Sequence, residues 1–218
     1  MDIPKSWSFE GSAVAEFIDD HIPSELPWYP MALDLCCFLA KCHLKEDDKI
    51  VDLGCSTGAV TRHLSDTIKE RRLSCVSIDE SAAMVKGFSG PGEVKSGDMR
   101  DINIIPEFNV ATLMLSLMFT GAGEREGYLK SLEGKCLPGG AIIIVDKIIV
   151  QGSYLGRNLG RITTKLKMDS GVLAENIIKK DLSLCGIQRP TKESVFFNSG
   201  YVKWFQVGEF AGYIKEID

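Results

Sequence analysis

The stretch Lys49-Ile50-Val51-Asp52-Leu53-Gly54-Cys55-Ser56-Thr57-Gly58 decides the fold. Its first five residues form a short apolar run, which is typical of a buried parallel strand. Gly54 and Gly58 then predict a sharp turn, because glycine adopts backbone conformations that other residues avoid and lets a ligand approach the main chain. A helix is predicted to follow from 57 to 70. This order of strand, glycine turn and helix predicts the start of an open α/β sheet.

Strands and helices continue to alternate after this turn. The further predicted strands are 73–78, 93–95, 110–117 and 141–145, and the predicted helices are 81–88 and 124–136. Pro138-Gly139-Gly140 predicts the turn before the last of these strands. Such alternation predicts a mostly parallel, Rossmann-like sheet that is covered on both faces.

The two ends of the chain differ from this central part. Ser12 is predicted to cap a first helix in which Val14, Phe17, Ile18 and Ile22 recur at helical spacing, and a second helix is predicted at 31–42. Beyond 150, helices are predicted at 152–185 and 191–198, followed by strands at 201–206 and 209–215. We therefore expect one α/β domain over residues 1–218, with N-terminal helices (1–46), a core (47–150), and a helical insertion with a strand hairpin (151–218).

Composition limits the class of protein. The chain is 44% hydrophobic and 25% charged, and its formal charge of −5 argues against a strongly basic nucleic-acid-binding protein. No apolar run is long enough to cross a bilayer, and residues 1–6 lack the apolar stretch of a signal peptide. We therefore expect a cytoplasmic protein with no membrane partner. The odd number of cysteines, seven, agrees with a compartment that keeps thiols reduced.

The cysteine-rich segment before residue 44 does not predict a metal site. Cys36, Cys37, Cys42 and His43 are not followed by a second ligand pair at the spacing of a zinc finger or ribbon. They lie in an apolar helical run, where cysteine behaves as a small hydrophobic residue. We expect no metal.

Two other enzyme classes share the glycine turn superficially. Residues 54–58 match the G-x-S-x-G nucleophile elbow of α/β hydrolases, but that mechanism needs a histidine late in the chain, and the last histidine is His63. A nicotinamide dehydrogenase requires G-x-G-x-x-G, but this chain has Ser56 at the second glycine and Ala59 after Gly58. The sequence excludes the first class and disfavours the second.

Acidic residues follow three successive predicted strands. Asp52, Asp79 and Asp98 lie where the carboxyl ends of parallel strands meet, which is where open sheets bind ligands. With the glycine turn, they suit S-adenosylmethionine, a nucleoside without phosphate. Asp52 is predicted to reach its ammonium group, Asp79 its ribose hydroxyls and Asp98 its adenine amino group, with Met99 beside the ring. Taken singly, acids at strand ends also occur as helix caps and in surface turns.

The chain resembles the carboxy-S-adenosyl-L-methionine synthase family, within the class I S-adenosylmethionine-dependent methyltransferases. The resemblance covers nearly the whole chain. The segments that carry it are Val14–Glu16, Pro27–Tyr29, Asp52–Gly58, Gly97–Ile102, Pro138–Ala141 and Trp204–Gln206. It implies a seven-stranded sheet with an antiparallel last strand, and a homodimer.

The resemblance also implies a reaction and a set of contacts. The family converts S-adenosylmethionine to a carboxymethyl sulfonium with carbon dioxide released from prephenate, and the product serves in wobble-uridine modification of transfer RNA. The residues that the resemblance and the turn together assign to the cofactor are Tyr29, Asp52, Gly54, Cys55, Ser56, Gly58, Asp79, Glu80, Asp98, Met99 and Met114.

Two departures from the family concern the reaction. Met114 stands where the family has an asparagine, and Ile177 lies near the position of an arginine that holds the carboxylate, with only Lys179 and Lys180 close by. Lysine supplies charge without the two-pronged fork of arginine. Two alternatives therefore stay open: a methyltransferase acting on a small molecule or nucleic acid, and a cofactor-binding protein without catalysis. The sequence names no catalytic residue.

A basic stretch lies outside these motifs. Residues 147–168 contain no acid, and Arg157, Arg161 and Lys165, spaced by four, are predicted to share one helix face. A solvated face and a patch for an anionic substrate or nucleic acid are both consistent with this spacing.

Overall fold

The computed structural model describes residue 8, residues 12–150 and residues 152–218, with the side chains of the first helix from Ile18 onward. The side chains of residues 12–17 lie outside the described parts, so the predicted cap at Ser12, the packing of Val14 and Phe17 and the side chains of Val14–Glu16 cannot be placed. The N-terminal residues 1–6 also lie outside the described parts. Ile18 is buried and Ile22 is half-buried, as the helical spacing predicts. Within these ranges no helix is both long and apolar enough to cross a bilayer.

The order of elements follows the predicted alternation. The helices are α1 (Ser12–Glu25), α2 (Tyr29–His43), α3 (Ala59–His63), α4 (Ser65–Glu70), α5 (Ala82–Gly87), α6 (Arg125–Glu133), α7 (Tyr154–Asp169), α8 (Ala174–Ser183) and α9 (Glu193–Asn198). The strands are β1 (Lys49–Leu53), β2 (Ser74–Asp79), β3 (Glu93–Ser96), β4 (Phe108–Met114), β5 (Cys136–Ile149), β6 (Thr191–Lys192), β7 (Val202–Val207) and β8 (Phe210–Glu216).

The described strands form one mixed sheet in the order β3-β2-β1-β4-β5-β8-β7, with β6 paired to the end of β5. The first five strands of this order are parallel to their neighbours, and β8 runs antiparallel to both β5 and β7. This arrangement confirms the predicted Rossmann-like α/β class and its antiparallel last strand. The short strand β6 makes the number of strands eight rather than the predicted seven.

Helices cover both faces of the sheet. Alternate residues of the central strands point to opposite sides, so Val51 packs with α6 and α9, whereas Ile50 packs with α2, α3 and α4. A third cluster joins Trp28 at the start of α2 to Phe205 and Phe210 of the final hairpin. The central strands are buried on both sides, which explains their continuous apolar runs in the sequence.

Three predicted helices are divided differently in the structure. The predicted helix 57–70 is interrupted at Leu64, which is fully buried and lies outside helical backbone angles. The predicted helix 152–185 is two helices, because Gly171 adopts a left-handed conformation that terminates α7. The prediction at 191–198 was wrong for its first two residues, which pair with Ile148 and Ile149 of β5 as β6.

The fifth strand is longer than predicted. It begins at Cys136, so the predictions of a helix to 136 and of a turn at Pro138-Gly139-Gly140 were wrong. The two glycines instead form an irregularity in the pairing of β4 with β5. A Cβ on Gly140 would lie 2.2 Å from the carbonyl oxygen of Asn109, and Gly139 has a φ of +80°. Gly139 therefore permits the backbone conformation of a bulge, and Gly140 permits the close approach of β4.

The predicted strand 110–117 ends early, at Met114, and the chain then turns sharply. Leu115 adopts a φ of +60°, which is uncommon for a residue other than glycine, and a single 3-10 turn follows at Leu117–Phe119. This turn brings residues 114–120 to the carboxyl end of the sheet.

A buried arginine fixes this turn against the chain that precedes β6. The guanidinium of Arg125 donates to the carbonyl oxygens of Thr120 (3.0 Å) and Arg189 (2.6 Å) and to the hydroxyl of Thr191 (2.7 Å). Thr191 in turn donates to the buried carboxylate of Asp146. Arg125 thus satisfies backbone oxygens of two loops that have no partner from a sheet or helix.

We expect Arg125→Met to lower the free energy of unfolding by about 3–5 kcal/mol. It leaves buried carbonyl oxygens without their donor and removes the positive charge that favours the buried carboxylate of Asp146. Urea unfolding followed by circular dichroism measures this. The matched control is Arg161→Met on the exposed side of α7, with an expected change within about 0.5 kcal/mol. Equal losses in the two variants would contradict the role of Arg125.

Candidate functional site

A cavity of about 540 Å³ opens at the carboxyl ends of β1, β2 and β4, with α1, α7 and α8 on its other side. This volume is in the range of small-molecule sites. The predicted site residues that line it are Gly54, Ser56, Asp79, Glu80, Asp98, Met99 and Met114. The remaining predicted residues, Tyr29, Asp52, Cys55 and Gly58, lie outside its lining.

The turn after β1 presents bare backbone to the cavity. The amides of Gly54 and Cys55 both donate to the carbonyl oxygen of Ile78 (2.8 and 3.1 Å), which fixes the turn to the end of β2. Gly54 has a φ of +72°, and a Cβ there would lie 2.3 Å from the Cβ of Ser116. Glycine is therefore required at this position both by conformation and by space.

Asp79 joins the glycine turn to the next helix. Its carboxylate accepts the amide of Ser56 (2.7 Å) and the amide of Ser81 (3.0 Å), one on each oxygen. Ser56 has a φ of +50°, so this hydrogen bond stabilises a backbone conformation that is uncommon for serine.

Asp98 is held by an arginine that the sequence reasoning did not single out. The Nε atom of Arg100 lies 2.9 Å from both carboxylate oxygens, and Nη2 lies 2.6 Å from Oδ2. This guanidinium keeps the pKa of Asp98 below its ordinary value. Arg100 also lines the cavity and reaches Glu124 at 3.5 Å. The only signal in the sequence is the spacing of an acid and an arginine two residues apart.

Asp52 is buried beneath the glycine turn. Its Oδ1 accepts the hydroxyl of Thr112 at 2.7 Å from the neighbouring strand, and its Oδ2 has no hydrogen-bond partner in the described structure. Burial raises the pKa of this carboxyl to about 7, against the opposing effect of the Thr112 hydrogen bond. A buried carboxyl group with one oxygen unbonded lowers the stability of the folded state, which indicates a functional role for Asp52.

Three further predicted residues lie behind the cavity wall. Tyr29 is buried in the apolar cluster with Trp28, and burial raises the pKa of its hydroxyl, with Asp52 adding to the effect. Burial likewise raises the pKa of the Cys55 thiol. A Cβ on Gly58 would lie 2.6 Å from the ring of Phe88, so this glycine serves packing in the structure. Ligand contact by these residues stays a prediction.

The wall contributed by the end of β4 is largely apolar. Met114, Leu115, Met118 and Phe119 line it together with Ser116, whose hydroxyl donates to the carbonyl oxygen of Leu53 at 2.7 Å. Met114 thus lies where the sequence predicts it. This wall therefore suits an apolar part of a ligand, because its apolar side chains offer no hydrogen bonds.

The opposite end of the cavity is rich in titratable groups that the sequence motifs did not reveal. Its lining includes His21 and Glu25 from α1, Lys147 from β5, Lys167 from α7 and Lys180 from α8. Ile177 is buried in the same wall. Lys179, by contrast, is exposed and pairs with Glu175 at 2.5 Å. Of the two lysines near Ile177, Lys180 is therefore the one in the cavity.

The basic stretch 147–168 is divided between two surfaces. Lys147 and Lys167 line the cavity, whereas Arg157, Arg161 and Lys165 lie together on the exposed side of α7, as their spacing predicts. Lys165 pairs with Asp169. In the part of the chain that the structure describes, no group of three or more His, Cys, Asp or Glu residues is arranged to hold a metal ion.

The chain is similar in sequence to proteins of known name. No family model matches it. It is 26% identical to the carboxy-S-adenosyl-L-methionine synthase of Shewanella pealeana over 92% of this chain and 89% of that protein. The identity is 25% with the synthase of Staphylococcus epidermidis (97% of both) and 28% with that of Desulfotalea psychrophila (91% and 89%). The chain resembles carboxy-S-adenosyl-L-methionine synthases over nearly its whole length.

Solved structures agree on the fold. The plantazolicin methyltransferase BamL, in complex with SAH, is similar with a TM-score of 0.64 at 12% identity, over 95% of this chain and 91% of that one. Human N-acetylserotonin methyltransferase, in complex with SAM, gives a TM-score of 0.56 at 13% identity over 96% of this chain and 57% of that longer one. The fold is that of the class I methyltransferases.

We expect Asp52→Asn to stabilise the protein more at pH 8 than at pH 5, with a difference of about 1 kcal/mol or more. Because the folded-state pKa of Asp52 is raised to about 7 from an ordinary 3.8, its contribution to stability is present below about pH 4 and is lost as the pH rises through 7. Thermal unfolding of both proteins across pH 4–8 measures the difference. A gain that is the same at pH 5 and pH 8 would contradict the assignment of this carboxyl.

Proposed function

We propose that this chain binds S-adenosylmethionine at the sheet end of the cavity and is a transferase that uses it. The observation that carries the proposal is the half-buried backbone of Gly54 in the cavity lining, in a turn that the carbonyl oxygen of Ile78 and the carboxylate of Asp79 hold. Asp79, Glu80 and Asp98 also give this end an acidic lining, which suits a ligand that carries a sulfonium and an ammonium group.

Two features of the protein fit this ligand. A Cβ at Gly54 would collide with Ser116, so only glycine lets the turn pack against the end of β4 and still line the cavity with its backbone. Beneath it, Oδ2 of Asp52 is a buried acceptor without a partner, which suits an ammonium group reached directly or through water. Asp79 would hold the ribose hydroxyls, and Met99 would lie beside the adenine. When bound, the cofactor supplies a methyl group on a sulfonium, whose carbon can either be transferred to an acceptor or lose a proton and bond to carbon dioxide.

For the reaction, we propose the one in the names of the relatives, formation of carboxy-S-adenosyl-L-methionine, with prephenate as the carbon dioxide source that the resemblance implies. Prephenate loses carbon dioxide and hydroxide to leave phenylpyruvate, the methyl carbon loses a proton to that hydroxide as water, and the same carbon bonds to the carbon dioxide. The support is similarity over 91–97% of the chain and a cavity with room and lysines beyond the cofactor end. In this assignment Met114, Met118 and Phe119 keep water from the sulfur. The lysines would offset the new carboxylate.

Methyl transfer is the second candidate, and the apolar wall at the end of β4 favours it. Met114 and Leu115 offer no hydrogen-bond donor for a carboxylate beside the sulfur, whereas an apolar wall suits a neutral acceptor held in line with the methyl group. The acceptor in this second case is a small molecule or a nucleic acid.

We also propose a homodimer, as the resemblance implies. Met31, Leu35 and Phe38 are exposed on one face of α2, at the spacing of neighbouring helical turns. Light scattering of the purified chain measures its mass, and a monomer at micromolar concentration would contradict this assembly.

Incubation of the protein with S-adenosylmethionine and prephenate, followed by mass spectrometry, tests the reaction. We expect a carboxymethyl sulfonium whose carboxyl carbon comes from labelled prephenate. Recovery of unchanged cofactor would overturn carboxylation. Transfer of a labelled methyl group to a molecule of a cell extract would assign the second candidate instead.

We expect Asp79→Ala to weaken S-adenosylmethionine binding about tenfold or more, because it removes a ligand acceptor and releases the amide of Ser56 from its constrained position. Titration calorimetry measures the affinity. The control, Asp66→Ala, removes an exposed acid of α4 away from the cavity and should leave it unchanged. Equal affinities in the two variants would count against the predicted role of Asp79.

A further inference from the structure

The end of the cavity away from the glycine turn combines several cations with a histidine. We call this region the basic end and define it by Lys147, Lys167, Lys180 and His21. Three acids, Glu25, Asp181 and Glu209, also line it. The three lysines and three acids of this end balance formally, whereas near Gly54 the described lining has three acids and one cation, Arg100, which is engaged with Asp98. The basic end is therefore the less acidic of the two, and its lysines are the cations within reach of an anion.

Lys180 lies in direct contact with His21. Its Nζ atom is 3.1 Å from Nε2 of the histidine, and both side chains are half-buried. Burial lowers the pKa of Lys180 to about 7; the nearby Lys167 lowers it further and Glu25 opposes the change. Burial also lowers the pKa of His21, helped by Lys180 and Lys167 and opposed by Glu25. Asp181, the next residue of α8, also lines the cavity.

The two remaining lysines hold their amines at the same end. Lys167 lies 3.6 Å from Glu25, longer than a hydrogen bond, and only 12% of its side chain is exposed. Lys147 donates to the amide oxygen of Gln188 at 3.2 Å and lies 5.8 Å above the ring of Phe210. Both amines are therefore partly desolvated and oriented by short-range contacts, which strengthens their attraction for an anion.

We propose that the basic end binds the anionic oxygen-bearing group of the second substrate, a carboxylate or a phosphate, and that Lys180 takes up a proton as this group binds. The proposal rests on the proposed function and names the substrate class of the same cavity. Arginine, which stays protonated, would bind such a group at any pH, whereas this lysine makes binding depend on protons.

The direction of the pH dependence follows from linkage. An anion favours the charged amine, so it raises the pKa of Lys180 on binding, and affinity is highest below pH 7. Above pH 7 the free protein holds a neutral amine, and each binding event must take a proton from solvent. At pH 8 we expect an uptake of roughly half to one proton per bound anion.

Titration calorimetry at pH 8, in two buffers of different ionisation enthalpy, measures this uptake directly. The protein is first saturated with S-adenosylhomocysteine, which occupies the cofactor end without reacting. Prephenate and inorganic phosphate are then titrated in separate arms, and the arm that binds identifies carboxylate or phosphate as the group recognised. A second series from pH 6 to pH 9 follows the fall in affinity.

Three variants isolate Lys180. Lys180→Gln should weaken anion binding about tenfold or more at pH 6.5 and abolish proton uptake at pH 8. Lys180→Arg should retain affinity at pH 8 with no proton uptake, because the guanidinium is already charged. The matched control is Lys179→Gln, one residue away but exposed and paired with Glu175, which should behave as the original protein.

Binding of S-adenosylhomocysteine is measured first for each variant, and this separates the two proposals. If that ligand does not bind the original protein, the proposed function fails. If it binds all four proteins equally but neither anion binds, or proton uptake persists in Lys180→Gln, the basic end is not an anion subsite governed by Lys180.

Discussion

The carboxylate of Asp79 is the interaction on which the rest of the site depends. By accepting one amide from the turn after β1 and one from the start of α5, it fixes the ends of two parallel strands and a helix relative to each other. The carbonyl oxygen of Ile78 secures the same turn from below. The same carboxylate keeps Ser56 in a left-handed conformation, and Gly54, two residues before it, lines the cavity.

Local pattern predicted the central fold well, because strands such as β1 and β2 are buried on both faces and must be apolar throughout. It failed where tertiary contacts override local preference. Leu64 interrupts a helix because it packs into the core, and Gly140 lies within a strand because the backbone of β4 approaches it too closely for a side chain. The sequence Pro138-Gly139-Gly140 is compatible with a turn and with a β-bulge, so local pattern alone does not distinguish the two.

Some residues of the site could be predicted from the sequence, and others could not. Gly54, Ser56, Asp79 and Asp98 converge because strand ends in a parallel sheet share one edge, and that is readable from order along the chain. The pairing of His21 with Lys180 joins residues 159 positions apart and depends on how α1 packs near α8, for which no spacing rule exists. The burial of Arg125 could not be predicted either. An arginine in a helix is usually exposed, and here it is buried because it donates hydrogen bonds to the carbonyl oxygens of two loops.

The cavity is built by separate parts of the chain. Its sheet end comes from residues 47–120, and its other end comes mainly from α1, α7 and α8, which meet through contacts such as the hydroxyl of Ser170 on the carbonyl oxygen of Ser24. Substitutions in those three helices can therefore alter what is accepted without disturbing the strand ends. The sheet end and the helical end of the cavity can therefore change independently. A new activity can arise by substitutions in α1, α7 and α8 while the strand ends keep their structure.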